Sequence, residues 1–163
     1  MISEKTFSIV GQIIPYEHRD PIMDAAQRAG EDIPHLCHNP EFKPNGPCRV
    51  CVIETNGRHV AACNQPAIEN IEVDNSSDAI MNLRRSLLQM LFVEGNHVCP
   101  ACENSCACQL QAFAYYTRML SHHFTQFFPC RDVDSTHTEI AIDFYRCILC
   151  KLCVRSSRDV DKK

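Results

Sequence analysis

Twelve cysteines in 163 residues constrain this chain more than any other feature, because they gather in three groups. Cys37, Cys48, Cys51 and Cys63 form the first, Cys99, Cys102, Cys106 and Cys108 the second, and Cys147, Cys150 and Cys153 the third; Cys130 stands apart. Each group contains a Cys-x-x-Cys step, which lets two thiolates on one loop face a common centre. Cysteines at this density mark either a disulfide framework in a secreted domain or metal sites in a reducing compartment.

The opening stretch MISEKTFSIVGQIIPYEHRD has no basic region followed by a long apolar run and a small-residue cleavage site. The most apolar neighbourhood, Leu87 to Val93, falls far short of the roughly 20 residues that a membrane span needs. The expectation is a cytoplasmic chain without membrane insertion, in which closely spaced thiolates serve as ligands for iron or zinc. A formal net charge of -4 gives no electrostatic basis for nucleic-acid binding. The five glycines are too scattered to build a phosphate-binding loop.

Residues 1–76 read as a small α+β domain. Thr6 to Val10 forms a strand that returns through Ile13 and Ile14, and Asp20 caps a helix with Pro21 at its first position. Ile22, Ala25, Ala26 and Ala29 share one face of that helix, and Gly30 ends it. Val50 to Glu54 and Arg58 to Ala62 flank Asn56-Gly57, a pair that tolerates the positive φ of a two-residue hairpin turn. The spacing of Cys37, Cys48, Cys51 and Cys63 puts three thiolates on one loop and brings the fourth from the end of that hairpin. Four thiolates suit a [2Fe–2S] cluster or one zinc ion. Zinc sites use two tight pairs, and the single tight pair here favours the cluster. Arg49 stands between two of these cysteines, either to offset cluster charge or as an ordinary surface residue. His35 and His38 flank Cys37 as packing or outer-shell groups.

Residues 77–126 open with a helix capped by Ser77 or Asp78, with Ile80, Leu83, Leu87 and Leu91 along one stripe and Gly95 as its stop. His97, Cys99, Cys102, Cys106 and Cys108 then crowd into twelve residues, one donor more than a single cluster takes. Cys99 and Cys102 make the pair, and Cys108 is the better third ligand because it starts the next helix, Ala107 to Leu120, with Leu110, Phe113, Ala114 and Thr117 facing a core. His97 is either the fourth ligand, lowering the cluster's negative charge as histidine does in Rieske centres, or a helix-capping group. Cys106 is left as a bystander. Residues 127–163 carry Cys130 in a connector, expected as a buried free thiol, and then Cys147, Cys150 and Cys153, spaced like the start of a bacterial ferredoxin run. A cubane needs a fourth ligand, and the sequence stops ten residues after Cys153. The expectation is a chain cut short, with a second [4Fe–4S] cluster incomplete, three-iron or absent.

The segments IPHLCHNPEFKPNGPCRVC, His97 to Gln111 and DFYRCILCKLCVRSSRDVD, in this order, resemble the electron-transfer subunit of respiratory complex I and its smaller relatives, above all the small (gamma) diaphorase subunit of cytoplasmic NAD-reducing nickel–iron hydrogenases. The resemblance spans essentially the whole chain. It implies a β-grasp ferredoxin fold with one [2Fe–2S] cluster on Cys37, Cys48, Cys51 and Cys63. It further implies a small helical domain with one [4Fe–4S] cluster on His97, Cys99, Cys102 and Cys108. The gap between His97 and Cys99 is shorter than in the complex I pattern and resembles the hydrogenase branch. Ser105-Cys106-Ala107 replaces an expected glycine-containing turn.

The function so implied is electron relay between a flavin- and NAD-binding diaphorase subunit and the small and large subunits of a hydrogenase, without a catalytic acid, base or nucleophile in this chain. The alternatives are the N-terminal cluster region of a complex I, formate dehydrogenase or iron-only hydrogenase subunit and, in a different class, a zinc-stabilised interaction module.

Overall fold

The computed structural model describes residues 5–121 and 123–162, which divide into two compact units. One comprises the chain up to Arg84 together with 151–162, and the other runs from Arg85 to Cys150. The division falls inside a helix, and the last segment belongs with the first unit.

The first unit is built on a five-stranded mixed sheet. Thr6–Ile9 (β1) and Gln12–Pro15 (β2) form a tight hairpin, Val52–Thr55 (β3) and Arg58–Ala61 (β4) a second, and Glu72–Asp74 (β5) joins them in the order β2-β1-β5-β3-β4. The β1–β5 pairing is parallel, with Ser8 opposite Glu72; the other pairings are antiparallel. Asn56 and Gly57 both take positive φ in the β3–β4 turn, as the sequence predicts. β5 is the element that sequence reading missed: three residues with one buried side chain carry too little periodicity to be recognised. Helix α1 (Ile22–Arg28) buries Ile22, Met23, Ala25 and Ala26 in a core shared with Phe7, Ile9, Ile14, Ile53 and Val73. This sheet with one covering helix is the expected α+β, ferredoxin-like arrangement.

The start of α1 differs from expectation. Pro21, with extended backbone angles, is the capping residue, and Asp20 turns its carboxylate to the Glu17 N–H and to Arg28. The helix finds its acceptors elsewhere: Ile22 N–H donates to the Gln65 carbonyl and Met23 N–H to that of Ala62. The first turn of α1 is thereby fastened to the chain on both sides of Cys63. The far end is as predicted, with Gly30 at φ 82° and Glu31 N–H reaching back to Ala26.

Helix α2 (Asp78–Glu94) follows. Ser77 caps it, its hydroxyl accepting from Ile80 N–H at 3.4 Å. Its fully buried positions include Ile80, Arg84, Leu88 and Val93, whereas Leu83, Leu87 and Leu91 are only half-buried. The expected stripe therefore holds at Ile80 and shifts by one position from there to Arg84 and Leu88, where an arginine takes a place on the buried face. In the second unit a 3₁₀ turn (Cys99–Ala101) leads to α3 (Gln109–Tyr116), shorter than the expected 107–120. Thr117 closes α3 and Arg118, at φ 55°, leaves it; Leu110, Ala114 and Thr117 are buried as predicted. A short hairpin, β6 (Val133–Asp134) and β7 (Ile142–Asp143), completes this unit, and α4 (Leu152–Arg155) belongs to the first.

Candidate metal centres

The four cysteines of the first group lie inside the first unit, each buried: Cys37 and Cys48 on the loop after α1, Cys51 at the entry to β3, Cys63 past the end of β4. They stand in two pairs. The Sγ atoms of Cys37 and Cys48 are 3.2 Å apart, and those of Cys51 and Cys63 are 3.4 Å apart. The hydrogen bond within the first pair, helped by the N–H groups of Val50, Leu36 and Cys37, overcomes burial and pushes Cys48 down to about 6, while Cys37 is driven up. The second pair behaves alike, with Cys51 lowered and Cys63 raised by their shared hydrogen bond. One thiol in each pair is thus poised to ionise, and the charges of both pairs are felt across the site. Among the described residues no three His, Cys, Asp or Glu side chains converge at single-ion distance. Two buried thiol pairs suit two iron atoms with two thiolates each better than one tetrahedral zinc.

The loop is shaped by local backbone chemistry. Arg49, exposed, takes φ 57° to turn the chain between Cys48 and Val50. Gly46, at φ 66°, has no room for a side chain: a Cβ there meets Asn64 Nδ2 at 2.5 Å and Cys63 Sγ at 3.7 Å. The cations near this site that sequence reading missed are two other arginines. Arg84 is fully buried and donates to the carbonyls of Val50 at 3.2 Å, Val52 at 2.7 Å and Asn75 at 2.7 Å, so that it brackets Cys51. Arg155, from α4, donates to the carbonyls of Cys37 and Lys43. Arg155 follows Cys153 by two residues in the third cysteine segment, and the one sequence signal for Arg84 was its place four residues after Ile80 in α2.

His38 has a fully buried side chain, with Nε2 3.0 Å from Asp24 Oδ1 but without hydrogen-bond alignment. Burial pushes it below its ordinary value, against the pull of Asp24. Its ring meets that of His35 edge to face, and His35 bonds the Ile33 carbonyl at 2.8 Å. Both histidines are thus engaged with the protein around Cys37.

In the second unit Cys99, Cys102 and Cys108 are partly exposed, on the 3₁₀ turn and at the first cap of α3. Burial raises the Cys99 thiol first, and the charges of Cys108 and Cys102 raise it further. Cys106 is exposed at φ 69° and its N–H is taken by Gln111 at 2.8 Å. His97 is half-buried, edge to face with Phe92, and burial lowers it while the Leu91 carbonyl acts the other way. Gly95 does not take positive φ, so its role as a left-handed helix stop gives way to close packing: a Cβ there meets His97 Nε2 at 2.5 Å and the Tyr145 carbonyl at 2.8 Å.

Cys130 is exposed, not buried as expected. Of the third group, Cys147 and Cys150 fall in the second unit and Cys153 in the first.

Comparison with known proteins finds two iron–sulfur domains along this chain. Residues 4–78 match the 2Fe-2S iron-sulfur cluster binding domain, and residues 84–123 match the NADH-ubiquinone oxidoreductase-G iron-sulfur binding region. These two domains indicate one [2Fe–2S] and one [4Fe–4S] cluster. It is similar to the gamma subunit of the NAD-reducing hydrogenase HoxS of Cupriavidus necator, at 37% identity over 93% of this chain and 65% of that one. It is also similar to the alpha subunit of the NADPH-Fe(3+) oxidoreductase of Geobacter sulfurreducens (30% identity, 95% of this chain, 19% of the relative) and to an NADH-quinone oxidoreductase subunit of Escherichia coli (29%, 94% and 18%). A chain in the crystal structure of an NAD+-reducing [NiFe]-hydrogenase in the H2-reduced state superposes with a TM-score of 0.91 at 46% identity, over 95% of this chain and 66% of that one. The chain spans less than two thirds of the length of each of these relatives.

Proposed function

We propose that this chain is a cytoplasmic electron-transfer subunit, relaying electrons between a flavin- and NAD-binding diaphorase subunit and the small and large subunits of a hydrogenase. The observation that carries the reading is the pair of buried thiol pairs in the first unit, followed by the Cys99, Cys102 and Cys108 group in the second. Cys37, Cys48, Cys51 and Cys63 hold the [2Fe–2S] cluster, and His97, Cys99, Cys102 and Cys108 hold the [4Fe–4S] cluster. Cys147, Cys150 and Cys153 keep the spacing of the first three ligands of a bacterial ferredoxin run, and this sequence does not show a fourth. Each bound cluster takes up and returns one electron at a time. The side chains contribute donors, exclusion of water and a local charge that sets how readily the electron is accepted.

Large apolar side chains at the surface of the second unit, among them Tyr115, Leu120, Phe127 and Phe128, support a chain that partner subunits cover. Among the described residues no helix is long and apolar enough to cross a membrane. The test is iron and sulfide analysis with low-temperature electron paramagnetic resonance on anaerobically purified, reduced protein, together with identification of co-purifying subunits. The expected result is one [2Fe–2S] signal, at least one [4Fe–4S] signal and a flavin-containing partner. Colourless protein with stoichiometric zinc returns the chain to the interaction-module class.

A further inference from the structure

Arg155 is 3% exposed and comes from a four-residue helix; its Nε donates to the Lys151 carbonyl at 3.4 Å in its own turn, and its other partners lie far back along the chain. Its guanidinium donates to the carbonyl of Cys37 and, at 3.0 Å, to that of Lys43, and it lies 5.6 Å from the centre of the Phe42 ring. The three distant partners sit on the stretch that begins at Cys37 and ends at Cys48, the first thiol pair. The carboxylate of Asp159, which feels the charge of Arg155, is itself bonded to Arg158 at 2.6 Å. A buried cation whose acceptors are loop carbonyls keeps its charge available to the loop it holds, and in a medium less polar than water that charge acts strongly.

We propose that Arg155 is a positioning residue of the [2Fe–2S] site: it fixes the Cys37 end of the ligand loop and places a positive charge behind the first thiol pair, stabilising the state with one added electron. The inference rests on the assignment of that cluster to Cys37, Cys48, Cys51 and Cys63. Four thiolates around two irons carry net negative charge, and reduction adds one more unit with no bond made or broken at Arg155. A neighbouring cation therefore favours the reduced form, and its removal shifts the equilibrium toward the oxidised one.

The experiment is a dithionite titration of the full chain, with the [2Fe–2S] signal followed by electron paramagnetic resonance, for the parent and for Arg155→Lys, Arg155→Gln and Arg155→Met. Arg155→Gln and Arg155→Met are expected to lower the reduction equilibrium constant about tenfold, a midpoint about 59 mV more negative for one electron. Arg155→Lys, which keeps the charge but not the planar fork, stays within about twofold of the parent and loses its cluster faster on dilution into chelator. Midpoints for Gln and Met within twofold of the parent overturn the proposal. Should Gln and Met fail to retain the cluster, retention by Lys supports the role of charge, and equal loss from all three reduces Arg155 to a packing residue and overturns it. A parent without a [2Fe–2S] signal overturns the cluster assignment instead, before Arg155 is reached.

Discussion

The two units present their cysteines in opposite ways. In the first, all four thiols are buried, Cys51 and Cys63 are members of the hydrophobic core, and the segments that carry the four are tied to a sheet, to α1 and to two buried arginines. In the second, the three clustered thiols are partly exposed on a single turn and a helix cap, and the buried side chains nearest in sequence are Leu110 and Ala114. The lesson is that burial decides who organises whom. A core can arrange donors before metal arrives, whereas donors on exposed turns are arranged largely by the metal they bind, which converts binding energy into folding energy.

Iron removal by oxidation in the presence of chelator should divide the units most sharply. Hydrogen exchange of the apoprotein is expected to leave the β1, β3 and β5 amides protected, while amides between Cys99 and Tyr116 lose their protection. Equal loss in both units would break the comparison. Arg84→Met should follow in size, because it strips donors from the buried carbonyls of Val50, Val52 and Asn75. An expected destabilisation of about 3–5 kcal/mol, read from the denaturant midpoint, reflects those unsatisfied groups. Gly95→Ala tests the second unit, where the new Cβ must displace His97 or the Tyr145 carbonyl. It is expected to cost about 1–3 kcal/mol and to speed loss of [4Fe–4S] absorbance, leaving the [2Fe–2S] signal intact.

The smallest effect concerns Asp74, whose carboxylate accepts from the N–H groups of Ser76 and Ser77, each at 2.9 Å, at the start of α2. Burial pushes it up, but the bonds from Ser77 and Ser76 and the charge of Arg84 prevail and hold it below its ordinary 3.8. Since the folded value is the lower one, its contribution is present at neutral pH and is lost as pH falls through the folded value, below about 4. Asp74→Asn should therefore cost about 0.5 kcal/mol at pH 7 and nothing in strong acid, as thermal unfolding at two pH values will show.

The two iron–sulfur domains were legible because iron chemistry leaves a mark on spacing in the Cys-x-x-Cys repeats, and the Asn56-Gly57 turn and the Gly30 stop were legible because each follows a local rule. What escaped was set by distant parts of the chain. Arg84 reads as a polar residue in an amphipathic helix, so the apolar stripe is expected through Leu83 and Leu87; only the carbonyls of another segment make its burial favourable. Arg155 lies more than a hundred positions from Cys37, beyond any pattern of periodicity. Asp20 had a capping residue's chemistry, but Arg28 and the Glu17 N–H claimed it. β5 acquires its identity from two neighbours it meets only in the folded sheet.

That short strand also orders events in time. Because Ser8 lies opposite Glu72, the parallel pairing closes a loop that contains all four cysteines of the first unit. A nascent chain must therefore release Cys37, Cys48, Cys51 and Cys63 into solution before the sheet that buries them can be completed. The entropy of closing that long loop comes due at this step. The interval between the emergence of Cys63 and the docking of β5 is the window in which the thiols are open to a cluster donor and also to oxidation.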